Sequence, residues 1–143
     1  MNVEQILRNK GNWVAIIRPD ALVAEAVDVL RRERIGALVV SDDDKGIDDI
    51  LSERDVVSAL AEYGEDLPSR LVREIMTRTV VTCDPGDSVG ALMAEMTNRR
   101  IRHFPVIADG RLVGIVSIGD LVKSRLDEVE FEANSLRTFI ASA

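Results

Sequence analysis

Two short stretches place a hydroxyl and a carboxylate three residues apart: Ser52-Glu53-Arg54-Asp55 and Ser117-Ile118-Gly119-Asp120. Each follows an apolar run. Ser-x-x-Asp at such a point has two uses. One is structural: serine at the N-cap with an acid three residues on resembles a capping box, and the acid suits the positive end of the helix dipole. The other is recognition. A carboxylate just inside a helix can accept two hydrogen bonds from a ribose diol, and the N–H groups of the helix start can hold phosphate oxygens. A ribonucleotide needs both, with an apolar slot for its base. Residue types and spacing leave both uses open.

The elements that must position these residues are duplicated. Pro19 matches Pro85 at an offset of 66, and Val23, Ala26, Val27 and Leu30 match Val89, Leu92, Met93 and Met96. Each set is spaced as one apolar face of a helix. Ile35 matches Ile101 and Val40 matches Val106; then Ser52 matches Ser117 and Asp55 matches Asp120 at an offset of 65. The slip falls in Asp42–Gly46 against Ala108–Arg111, and both stretches read as turns. Upstream, Val3–Leu7 resembles Val72–Met76 at an offset of 69, so each copy is expected to begin with a short amphipathic helical turn.

Each copy therefore reads β-α-β-β-α. Short strands are expected at Val14–Ile17 and Val80–Cys83, with helices near 21–33 and 87–99. Strand pairs follow at Ala37–Ser41 with Ile47–Leu51, and at His103–Ile107 with Leu112–Val116; second helices open at Ser52 and Ser117. A unit of about 60 residues is marginal alone, so two copies packed sheet to sheet in an α+β arrangement is the expectation. Glu62–Arg70 is polar and reads as a linker. The tail places Leu126, Val129, Ala133, Leu136 and Ile140 on an a/d seam of about two heptads. It either packs on its own repeat or pairs across a homodimer.

Composition narrows the function. The chain has 143 residues, 46% of them hydrophobic and 3% aromatic, and a net charge of −7. Nucleic-acid binding rests on neutralised phosphates and stacking platforms, which an acidic chain poor in aromatics does not supply. Cys83 is the only cysteine, which suits a reducing compartment. No secretory signal and no bilayer-length apolar run is visible, so a cytoplasmic location is expected. His103 is the only histidine, too few ligands for a structural zinc site with Cys83. Cys83 reads as a small buried strand residue and Trp13 as a packing residue. No P-loop, nucleophile elbow or nucleophile–base set is visible, so no enzyme is expected.

Taken together, these segments resemble the cystathionine-β-synthase (CBS) domain family, in tandem. The resemblance is carried by Ile50–Asp55 and Gly114–Asp120, with Ile75-Met76-Thr77, Val81–Pro85 and Arg102-His103-Phe104-Pro105-Val106. It implies two repeats, about 7–66 and 76–132, related by a pseudo-two-fold axis, plus a C-terminal helix over 127–143. It also implies a regulatory module that binds AMP, ATP, NAD(H) or S-adenosylmethionine in clefts between repeats, needs no metal and dimerises. By position, Asp55 and Asp120 would hold ribose hydroxyls, with Ser52, Ser117 and Thr82 near the sugar or phosphate. Residues around His103, Phe104, Pro105 and Val106 would line the base, with Ile16 at the place of Thr82 in the first copy. Arg54 is a candidate phosphate partner, and so is Arg102, in the cluster Arg99, Arg100, Arg102 and His103. Departures make the two clefts unequal: Gly114, expected to let backbone approach a ligand, is matched by Asp49, and Pro105 by Val39. A scaffold with vestigial clefts is the alternative.

Overall fold

The computed structural model describes residues 1–43, 47, 49–78 and 80–142. The elements are α1 (Val3–Lys10), β1 (Ile16–Ile17), α2 (Val23–Glu33), β2 (Ala37–Val40), β3 (Asp49–Ser52), α3 (Glu53–Tyr63), a 3-10 helix (Gly64–Ser69), α4 (Val72–Ile75), α5 (Val89–Arg99), β4 (His103–Ala108), β5 (Arg111–Ser117) and α6 (Ile118–Ser142). This is the mixed α+β architecture that the repeat implied. The chain divides into two compact units, one of residues 13–82 with 109–112, the other of residues 1–12, 83–108 and 113 onward. No described helix is long and apolar enough to cross a membrane.

In the unit of residues 13–82 the sheet order is β1-β2-β3, with β1 parallel and β3 antiparallel to β2. Ala37–Val40 is buried throughout because the central strand is covered on both faces. Its core joins Ile17, Ala26, Leu30, Leu38, Val40, Leu51 and Val72. Val27, the fourth member of the expected helix face, stays exposed. The polar stretch read as a linker is packed structure: Leu67 of the 3-10 helix is buried with Val23 and Ala59, and the Arg70 guanidinium lies 4.6 Å from the centre of the Tyr63 ring. One apolar anchor suffices to dock a polar segment, and composition hid it. Trp13 is exposed, not packed. The turn where the first copy has its extra residue lies partly outside the described residues, at 44–46.

β4 and β5 form a hairpin whose turn residues Asp109 and Gly110 both have positive φ, 52° and 75°, as a type I′ turn requires. The short strand expected at Val80–Cys83 shrinks to a single parallel bridge between Cys83 and Val106. Proline explains the loss. In the first copy the Val39 amide donates to the Ala15 carbonyl. The residue matching Val39 is Pro105, which has no N–H to give. What survives is Cys83 N to the Pro105 carbonyl at 3.0 Å and Ile107 N to the Cys83 carbonyl at 2.9 Å.

The helical turn that precedes each copy packs against the other one. The amides of Val72 and Arg73 donate to the carbonyls of Ala21 and Pro19, while those of Val3 and Glu4 donate to Asp87 and Pro85. Likewise Val23 N donates to the Arg70 carbonyl, and Val89 N to that of Met1. These are matching bonds, so α4 completes the first repeat and α1 the second. Val3, Ile6 and Leu7 are buried by this packing.

The expected C-terminal helix is continuous with the helix that opens after Ser117. Only Leu121 and Ser124 of α6 are buried. The a/d seam from Leu126 onward is exposed, so within the chain it does not pack on its own repeat.

Candidate functional site

The two Ser-x-x-Asp segments fold as the capping boxes their spacing allows. Ser52 ends β3 in an extended conformation, and its hydroxyl accepts the Asp55 amide at 3.2 Å. The Asp55 carboxylate receives the Ser52 amide at 2.8 Å and the Ser52 hydroxyl at 3.0 Å, both on Oδ2. Its other oxygen, Oδ1, accepts from the Thr77 hydroxyl at 2.8 Å. Thr77 follows α4 and is held there by a backbone bridge to Ile50. The segment just after the helix that completes the repeat thus supplies a partner for its carboxylate.

The second site repeats this logic with a charge. The Ser117 amide donates to Asp120 Oδ2 at 2.9 Å and the Ser117 hydroxyl accepts the Asp120 amide at 3.1 Å. Lys10, the last residue of α1, donates through Nζ to Asp120 Oδ2 at 2.8 Å and to the Ile115 carbonyl at 2.9 Å. Burial is the largest influence on the Asp120 carboxyl and opposes its charge. The bonds from Lys10 and the Ser117 amide, with the Lys10 charge, outweigh burial and hold it below the ordinary carboxylate value.

At Gly114 the close neighbour within the chain is a side chain of α1. A Cβ there would lie 2.7 Å from Cδ2 of Leu7, so the close approach at this strand is made by the α1 side chain.

The remaining candidates divide between the units. Ile16, Ser52, Arg54, Asp55 and Thr82 lie in the unit of residues 13–82; Arg102 through Val106, Ser117 and Asp120 lie in the other. Ile16 is half-buried on the β1 edge, opposite Val39; Arg54 and Thr82 are exposed. Phe104, Pro105 and Val106 are buried in β4. Arg102 is exposed, and its carbonyl accepts the first amide of α6, from Ile118, at 2.8 Å. That bond ties the start of β4 to the helix carrying Asp120. His103 is half-buried, and burial pushes its pKa down; Asp120 opposes this, while Lys10 and Arg102 add to it. Arg99, of the basic cluster, pairs with Glu95 at 2.9 Å on the surface of α5. Cys83 is buried and its thiol is pushed up to about 12, by burial first and then by Asp87, Asp84 and Glu95. Among the described residues no group of His, Cys, Asp and Glu is arranged to hold a metal ion.

Sequence reasoning missed Thr77, Leu7 and Lys10. The match of Val3–Leu7 to Val72–Met76 was the available signal. It showed a repeated element but not that the element was exchanged.

Comparison with known proteins agrees with this architecture. The CBS domain profile matches residues 14–62 and 72–127. The chain is 32% identical over 147 aligned residues to the CBS domain-containing protein CBSX3, mitochondrial, of Arabidopsis thaliana, covering 96% of this chain and 71% of that protein. The CBS-domain containing protein ATU1752 of Agrobacterium tumefaciens superposes with a TM-score of 0.84 at 42% identity, covering 87% of this chain and 92% of that one. The CBS domain pair of protein MJ0100, solved with 5′-methylthioadenosine and S-adenosyl-L-methionine, superposes with a TM-score of 0.76 at 27% identity, covering 91% and 98%.

Proposed function

The chain belongs to the CBS domain family, and on that premise we propose that it is a regulatory module that senses an adenosine-containing ligand and performs no chemistry. The observation that carries this reading is the pair of matched carboxylates, Asp55 and Asp120, each half-buried at a helix start and backed by serine. The MJ0100 pair, which binds two adenosine compounds, lends support. AMP, ATP, NAD(H) and S-adenosylmethionine share the ribose that such a carboxylate takes. In this reading Asp55 and Asp120 each hold a diol, in part replacing Thr77 and Lys10. Ser52, Ser117 and Thr82 sit near the sugar or phosphate, and Arg54 and Arg102 act on phosphate. Ile16 and the His103–Val106 strand line the base. No metal takes part. A ligand shifts the pose of the repeats, or of two copies in a homodimer, only by binding one pose more tightly. The single buried thiol Cys83 supports a reducing, cytoplasmic setting.

One observation favours a second reading, a scaffold with vestigial clefts. Both carboxylates already have partners within the chain, and a ligand must compete with them. Calorimetric titration with AMP, ADP, ATP, NAD, NADH and S-adenosylmethionine separates the two. Sensing requires heat with at least one of them, and Asp55→Ala or Asp120→Ala should lower the affinity of the cleft that uses that residue roughly 10- to 100-fold, the worth of a hydrogen bond to a charged group. Silence with all six favours the scaffold. Binding that survives both substitutions removes the ribose assignment.

A further inference from the structure

We propose that the distal part of α6 pairs with the same segment of a second copy as a parallel, in-register two-stranded coiled coil. The proposal rests on the two-copy assembly put forward above and names its surface and polarity.

The first turns of α6 are anchored by buried Leu121 and Ser124. Beyond them Leu126, Leu136 and Ile140 are 63, 60 and 64% exposed, and Val129 and Ala133 complete the stripe. With Leu126 at position a, the heptad places Ala133 and Ile140 at a, and Val122, Val129 and Leu136 at d. An isolated seam of about two heptads is marginal. Here the folded repeat has already formed the helix on which the seam continues, which removes the nucleation cost.

Charge identifies the occupant and its direction. The flanking e positions are Lys123, Glu130 and Arg137; the g positions are Arg125, Glu132 and Phe139. In a parallel pair each g residue meets the next e residue of the other helix. That sets Arg125 against Glu130 of the second copy and Glu132 against Arg137 of the second copy, and two-fold symmetry repeats both attractions. An antiparallel pair brings e to e and g to g. It would set Glu130 on Glu130, Glu132 on Glu132 and Lys123 on Arg137, all repulsive. Arg125 also holds Glu128 of its own helix at 3.2 Å, so the Glu132–Arg137 pair carries most of the discrimination. Phe131 falls at f, outside the seam, although it is more exposed than the large seam residues.

The test uses the full chain. Sedimentation equilibrium should show a dimer whose dissociation constant rises about a hundredfold or more in Leu136→Glu, from lost apolar burial on both helices. It should stay within about twofold in Phe131→Ser, which removes apolar surface away from the seam. Glu132→Arg and Arg137→Glu should each weaken the dimer and together restore it. Under mild oxidation Leu126→Cys and Leu136→Cys should each cross-link to themselves. In an antiparallel pair two copies of position 136 would lie about 15 Å apart, and only a mixture of the two variants would cross-link. Cross-linking confined to that mixture overturns the parallel register. A dimer that persists in Leu136→Glu overturns the interface and leaves the assembly standing. A monomeric parent chain overturns both. Calorimetry with the six ligands on Leu136→Glu reports separately on sensing.

Discussion

At the residue scale the Lys10–Asp120 pair has a defined pH dependence. Burial opposes charge on Asp120, but Lys10 and the Ser117 amide prevail and depress its pKa. A carboxyl with a lowered folded-state pKa contributes stability that is present above its unfolded value and lost as pH falls through the folded one. Lys10→Met should therefore cost at most about 1 kcal/mol near neutral pH, since both side chains are partly exposed. The difference should fade below the ordinary carboxylate range. Urea denaturation of parent and variant at neutral and acid pH measures this, and an equal loss at both would contradict an electrostatic origin. The same substitution frees Asp120 of a competitor, so any ligand of that carboxylate should bind no more weakly. At this scale much was legible: Ser-x-x-Asp specified both capping boxes because a cap is a local interaction over three residues. Lys10 was not legible, because its carboxylate partner lies 110 residues away.

At the element scale the exchange of α1 and α4 governs the sites. α1 lays Leu7 on Gly114, where an added Cβ would meet a side-chain carbon at 2.7 Å. Gly114→Ala should destabilise the chain by about 1–3 kcal/mol through overpacking. Because the obstacle is a side chain, Leu7→Ala in the same chain should relieve part of that cost, and the two changes should be less than additive. Strict additivity in denaturant midpoints would place the strain elsewhere. The periodicity of Val23–Leu30 and Val89–Met96 announced α2 and α5, since an amphipathic face repeats on the scale of one turn. The reduced strand at Cys83 was readable in principle from Pro105, a residue without an amide hydrogen. The 3-10 helix was hidden because a single Leu67 anchors an otherwise polar stretch.

At the scale of the whole molecule, ligand binding and assembly should leave separate marks on stability. An adenosine ligand at a hundred times its dissociation constant should raise unfolding free energy by about 2.7 kcal/mol. The gain should be retained in Phe131→Ser, whose change lies outside the proposed sites. A melting temperature unmoved by all six ligands would count against sensing. The duplication, the mixed α and β architecture and the two serine–aspartate helix starts were determined by the sequence alone, because each is written in local spacing or in the match of one half to the other. Which copy each leading helix completes, what stands against each carboxylate and which face of α6 stays bare were decided only by the tertiary structure. Those features depend on contacts between distant segments, and an amphipathic pattern states that a face must be covered without stating by what.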